Sequence, residues 1–200
     1  MLNNTQNILS KKCESIYTVL KVCYFLSFFI LLGFCVFSFW ISTLPQENFF
    51  TETIKINDTT LGFISVNQKF TVSFSNIVEL PFLSNPKMMY IAHLIFSIIS
   101  ILLGTYVLKY LTKILKNIVR TGIPYTTDIT SSIFKIGILI MFYGFFQKTI
   151  VPLILSLLGI NQWNIQIIDP FTLLIGGVVI CLSYVFSYGL QLQKEADETL

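Results

Sequence analysis

The stretch Val22–Leu44, VCYFLSFFILLGFCVFSFWISTL, decides the fold. It carries no charge and slightly exceeds the roughly 20 residues that a helix, rising about 1.5 Å per residue, needs to cross a hydrocarbon layer of about 30 Å. Phe25, Phe28, Phe29, Phe34, Phe37 and Phe39 pack it with aromatic rings, and Trp40 closes it at interfacial depth. It predicts a transmembrane helix. The run is too long for a signal-peptide core, and Ser42, Thr43, Leu44, Pro45 lacks the small-x-small cleavage pattern, so the span is expected in the mature chain.

Working outward, three more spans follow. Met88–Leu108 lies between Lys87 and Lys109 and is interrupted only by His93. A third, from Ile133 to Gly159, is longer than one crossing requires and contains Gln147, Lys148 and Pro152. The fourth, Phe171–Tyr188, is shorter and follows Asp169 and Pro170. An Asp cap with Pro at the first helical position is a helix start, and Asn85 with Pro86 repeats that signature before the second span.

Composition agrees with this reading. The chain is 54% hydrophobic and 12% charged, with mean hydropathy +0.75, whereas about a quarter of the residues of a soluble domain are charged. Nineteen Phe and nine Tyr exclude a disordered chain. A net charge of +3, dispersed along the sequence, argues against direct nucleic-acid binding, which needs a clustered basic face. The expected fold class is all-α integral membrane: four transmembrane helices with a small extracytoplasmic β insertion between the first and second. One membrane domain over residues 1–200 would hold that insertion at 45–87, a basic cytoplasmic helix and loop at 109–132 and an acidic tail at 189–200.

Orientation follows from the excess of Lys and Arg in cytoplasmic loops. Lys11, Lys12, Lys21, Lys109, Lys113, Lys116, Arg120, Lys135 and Lys194 fall on one side. Lys55, Lys69 and Lys87 on the other are offset by Glu47, Glu52, Asp58 and Glu79. Both termini are therefore expected in the cytoplasm.

The insertion alternates apolar and polar residues in Phe70, Thr71, Val72, Ser73, Phe74, which predicts a strand. Leu61–Val66 is its expected hairpin partner through Asn67 and Gln68, joined by a strand around Ile54 and Ile56. An isolated hairpin is marginal in water, so the element should pack on helix ends. It suits a structural cap, a sensor or ligand lid, or an oligomer contact. Past the second span, Lys109, Lys113, Lys116 and Arg120 recur at spacings of four, three and four and share one helical face. Leu111, Ile114, Leu115, Ile118 and Val119 lie opposite, until Gly122 and Pro124 stop the helix. Such a stripe suits attraction to anionic head groups or docking of a cytoplasmic partner. The acidic tail, with Glu195, Asp197 and Glu198 against Lys194, has the opposite sign and suits packing on that stripe or partner recognition.

Chemistry is sparse. With His93 the one histidine, no paired-His zinc motif exists, and no G-x-S-x-G elbow, phosphate loop or dinucleotide fingerprint appears. No catalytic residue, metal or cofactor is expected, and the protein reads as a non-enzyme. Cys13, Cys23, Cys35 and Cys181 read as small apolar fillers. Ionisable groups within a span are suspects, since a Lys at the helix centre costs about 2.5 to 3.5 kcal/mol on insertion scales. Lys148 is the main one, read either as snorkelling to the outer interface before a turn at Pro152, with Trp163 an interfacial anchor, or as a polar pore contact. Gln147 and His93 complete the intramembrane polar set. There is no internal repeat of the kind many transporters show. Gly176 and Gly177 suit close helix packing. A homo-oligomer that builds a pore is compatible with four spans.

The ending Phe186–Leu200, FSYGLQLQKEADETL, and the loop residues Gly122, Ile123, Pro124, Tyr125 resemble the YoaS-like family of small bacterial four-span membrane proteins, a domain of unknown function whose tail reads G-x-x-L-Q-x-E-x-D-x-T. Gly189, Gln193, Glu195, Asp197 and Thr199 fall within that pattern, while Tyr125 stands where the family usually has Phe and Ala196 where Asn is common. The resemblance implies a bacterial inner-membrane protein encoded beside a small Xre-type helix-turn-helix regulator. Residues and resemblance together give the expectation of a non-enzymatic regulatory membrane protein, contacting such a regulator through Lys109–Tyr125 and Gln191–Leu200, with the bilayer as its other partner. The rival expectation is a small-molecule permease or channel component using Lys148 and His93.

Overall fold

The computed structural model describes residues 2–56, 59–75, 86–121, 126–150, 153 and 170–198. Its main elements are helix α1 (Leu2–Thr43), strands β1 (Phe49–Ile56), β2 (Thr59–Val66) and β3 (Phe70–Ser75), and helices α2 (Pro86–Thr121), α3 (Thr127–Phe145) and α4 (Pro170–Glu198). All four helices are long and apolar enough to cross a bilayer, which makes the chain a multi-pass membrane protein with a small sheet between its first and second helices.

Both α2 and α4 begin at proline, the residue already suited to the first helical position; the expected caps Asn85 and Asp169 lie outside the described residues. α2 runs on to Thr121, and the expected stop at Gly122 and Pro124 lies outside the described residues. Two boundaries differ from expectation. α1 begins at Leu2, some twenty residues before the apolar run, because nothing between Leu2 and Val22 is a Gly or Pro that would end it. α3 starts at Thr127 and not at Ile133, because Thr126 caps it: the Ile129 N–H donates to the Thr126 hydroxyl at 3.3 Å. After Phe145 the same rod widens into one π turn, Phe146–Ile150. The remainder of the third predicted span, and Trp163 beyond it, lie outside the described residues, apart from Leu153.

The chain divides into two compact units, the first comprising Met1–Ile30, Ile101–Gly144 and Asp169–Leu200, the second Leu31–Ser100 and Phe145–Ile168. The second unit holds the sheet. Its strands are antiparallel in the order β1-β2-β3, with Ile64 opposite both Thr51 and Val72. The period of two sends Ile64 and Val66 of the middle strand inward, where they join Phe49, Ile41, Met89, Tyr90, Leu94, Phe96 and Phe146 in one core. Rings tie this core together edge to face: Phe49 on Tyr90 at 5.8 Å, Phe37 on Phe70 at 5.2 Å and Phe96 on Phe146 at 6.1 Å. The Lys87 ammonium donates to the Leu44 carbonyl at 2.7 Å, just past the end of α1, where the helix leaves carbonyls unpaired.

The β2–β3 turn is strained in one place. Asn67 and Gln68 both have positive φ, 51° and 56°, in a turn closed by the Lys69 N–H on the Val66 carbonyl at 3.0 Å. Asn tolerates that conformation, whereas Gln pays for its Cβ there. Gln68→Gly should stabilise the hairpin by about 1 kcal/mol, seen as slower hydrogen exchange of the Lys69 amide; unchanged or faster exchange would contradict that account of the turn.

In the first unit α3 and α4 cross at glycines. A methyl placed on Gly137 would stand 2.9 Å from the Gly176 carbonyl oxygen, and one on Gly144 would meet the Thr172 side chain. Gly176 is thus a close-packing residue, as expected. Gly177 is not: it has nothing within 4 Å, because one residue turns the position about 100° around the helix.

Candidate functional site

The basic stripe is helical and open throughout. Lys109, Lys113, Lys116 and Arg120 are all exposed on α2, while Leu111, Ile114, Leu115 and Ile118 opposite them are half-buried, the division their spacing predicts; Val119, expected on the same apolar face, is exposed. Lys113 pairs with Asp128 of α3 at 3.5 Å, both side chains remaining well exposed, so the pair is worth about 0 to 1 kcal/mol. The Lys109 ammonium lies 5.6 Å from the centre of the Tyr106 ring. Lys116 and Arg120 have no charged partner among the described residues.

The acidic tail is helical to Glu198, with Glu195, Asp197 and Glu198 exposed and Gly189 and Gln193 half-buried. Among the described residues the ion pair of the stripe is with Asp128, a residue singled out by no motif. Gly122, Pro124, Tyr125 and Thr199 lie outside the described residues.

Helix length adds what spacing alone does not. At about 1.5 Å per residue, the 42, 36 and 29 residues of α1, α2 and α4 measure about 63, 54 and 43 Å, against about 30 Å of hydrocarbon. The excess falls at the Lys-bearing end of each: residues before Val22 on α1, after Leu108 on α2 and after Tyr188 on α4. All three ends, with the start of α3, belong to the first unit, which holds nine of the thirteen Lys and Arg residues.

No family model, curated protein or solved structure matches the chain.

The intramembrane polar residues are split between roles. Gln147, in the π turn, donates from Nε2 to the Ser100 hydroxyl at 2.6 Å, and Ser100 donates on to the Phe96 carbonyl at 2.9 Å. The pair joins two helices through a side-chain hydrogen bond, a contact worth about 0.6 to 2 kcal/mol in a bilayer. His93 is half-buried on α2 and its carbonyl accepts from Ser97 at 2.9 Å. Lys148 has its backbone in the π turn. Cys23, Cys35 and Cys181 are exposed free thiols and Cys13 is half-buried, so the cysteines are helix-surface residues and not interior fillers.

Two grooves of the first unit escaped sequence reasoning. One, of about 390 Å³, lies between α3 and α4 and is lined by Thr127, Thr130, Ser131, Ser183, Tyr184 and Ser187 together with Phe134 and Leu190. The other, of about 400 Å³, runs between α2 and α3, lined by Leu102, Leu103, Tyr106, Tyr110, Lys135, Ile138 and Leu139. Tyr106, Lys109, Tyr110 and Lys113 sit at i, i+3, i+4 and i+7, which is the signal that could have marked the second.

Proposed function

We propose that the protein is a non-enzymatic regulatory membrane protein of a bacterial inner membrane that docks a cytoplasmic partner on the charged helical ends of α1, α2 and α4, with both termini cytoplasmic and the sheet facing outward as its input. The observation that carries this reading is the length of those helices. A protein that only needed to cross the bilayer would end them near 20 residues, whereas here ordered helix continues on three of them and carries the basic stripe and the acidic tail. Rigid helices present charges at fixed spacing, which gives a partner register as well as attraction. The Xre-type helix-turn-helix regulator implied by the resemblance at Gly122–Tyr125 and Phe186–Leu200 is the partner class to test first.

Crosslinking the protein in its own membranes, followed by mass spectrometry of co-purifying chains, tests the reading. A helix-turn-helix protein should be recovered with the intact chain. Recovery should fall by about tenfold or more when Lys113, Lys116 and Arg120 are changed to Glu, since each reversal converts attraction to repulsion, and again when Gln191–Leu200 is deleted. Equal recovery with all three chains, each correctly inserted, would remove the docking assignment.

A further inference from the structure

The α2–α3 groove has the features of a lipid site. Its two ends differ in chemistry: Leu102, Leu103, Ile138 and Leu139 make one end apolar, whereas the other holds Tyr106, Tyr110 and the Lys135 ammonium, 5.7 Å from the centre of the Tyr110 ring. Lys109 sits beside that end on Tyr106. Lys135 lies eight residues into α3, about 12 Å along its axis, within a helix otherwise apolar enough to span a bilayer. A Lys this close to the start of an apolar span can reach the head-group interface, where an anionic group compensates it. Among the described residues no carboxylate pairs with Lys135 or Lys109, and neither tyrosine hydroxyl has a hydrogen-bond partner. The nearby ion pair uses Lys113 and Asp128 and leaves both ammonium groups uncompensated.

We infer that this groove binds one anionic phospholipid, its phosphate held by Lys135 and Lys109 with the phenols of Tyr106 and Tyr110, and an acyl chain lying along Leu102, Leu103, Ile138 and Leu139. The argument is charge complementarity joined to shape. Among the described residues, Lys135 and two phenols without a hydrogen-bond partner line one end of an apolar trough and Lys109 stands beside it, neither ammonium having a carboxylate partner, and an anionic lipid supplies the missing charge, two or more acceptors and the chain together. The aromatic faces hold the ammonium groups without neutralising them, so they remain available to a phosphate. The site overlaps the docking reading at Lys109 and Tyr110, but Lys135 and the trough are not among the residues offered to a protein partner, so the Lys135 and Leu139 variants test the lipid site alone.

Native mass spectrometry of the delipidated full-length protein, titrated with phosphatidylglycerol and with phosphatidylcholine of the same acyl chains, tests the assignment. One phosphatidylglycerol should bind about tenfold more tightly than phosphatidylcholine, and Lys135→Gln should remove about fivefold to tenfold of that preference. Lys135→Arg should retain it. Leu139→Trp keeps every charge but fills the trough, and should weaken both lipids. The double variant Lys116→Gln with Arg120→Gln removes two exposed charges outside the groove and should bind as wild type. No headgroup preference in the wild-type chain, or wild-type binding by both Lys135→Gln and Leu139→Trp, would overturn the site. So would an equal loss in the Lys116, Arg120 double variant, which would mean diffuse surface attraction.

Discussion

Gly176→Val should lower the unfolding midpoint of the detergent-solubilised protein sharply, whereas Gly177→Ala, one residue on, should raise it. Lipid chains are as apolar as leucine, so helices in a bilayer associate through close contact and hydrogen bonding and not through a hydrophobic drive. The α3–α4 crossing depends on that closeness. A Cβ at Gly176 would meet the Met141 side chain and stand 2.9 Å from the Gly137 carbonyl oxygen, and a Cβ at Gly137 meets the Gly176 oxygen at the same distance and the Ile180 nitrogen at 3.1 Å. Met141 can swing aside, but two backbones cannot move without opening the interface. Overpacking of this kind costs about 1 to 3 kcal/mol per small insertion, and the branched valine should exceed that. Gly177 has nothing within 4 Å, so alanine there only removes the entropy cost of a helical glycine, a gain of about 0.5 to 1 kcal/mol. Thermal unfolding followed by circular dichroism reads both. If the two variants shifted the midpoint in the same direction by the same amount, the crossing would not be where the structure puts it.

That pair of glycines also shows where sequence reading reaches its limit. Length and lack of charge fix a span, because the bilayer sets a length scale that few soluble helices meet, and Val22–Leu44 needs nothing further. Adjacent glycines on one span look alike in sequence, and only the rotation of α4 against α3 separates Gly176 from Gly177. Helix ends outside the apolar run are similarly hidden. The residues between Leu2 and Val22 continue α1 with no hydrophobic signal, and Thr126 caps α3 seven residues before the apolar pattern begins at Ile133.

The charged surface was legible in part. Spacings of four, three and four put Lys109, Lys113, Lys116 and Arg120 on one face without any tertiary knowledge, and all four are exposed. Their contacts were not legible, because Asp128 and the Tyr110–Lys135 pair are set by how α2 and α3 meet. Gln147 stands out as a polar residue in an apolar run, yet its acceptor, Ser100, lies 47 residues away. The strands were legible from alternation and turn residues, since a period of two is a property of the chain itself. That the inner face of the sheet would share a core with Ile41, Met89 and Phe146 required the fold.

Ile64 is the residue on which that shared core turns, and Ile64→Ala should cost about 2 to 5 kcal/mol. It is fully buried, occupies the middle strand with neighbours on both sides, and lies in the cluster that includes Ile41 of α1, Met89 and Tyr90 of α2 and Phe146 of the π turn. A small sheet depends for its stability on a packed hydrophobic face, so loss of the central residue of that face should release the strands before the helices unfold. The expected result is a sheet that becomes sensitive to protease in detergent solution while helical circular dichroism is retained. Phe63, the neighbour on the opposite face, is only half-buried, and Phe63→Ala should leave the strands resistant. Cleavage within the sheet at equal rates in both variants would show that it is not held by its inner face. Retained resistance in Ile64→Ala would show that edge contacts such as the Tyr90 hydroxyl on the Phe70 carbonyl, 3.4 Å, suffice to hold it. The proposed role of the sheet as an input depends on the first result, because a signal received on strands can reach α1 and α2 only through side chains packed on both.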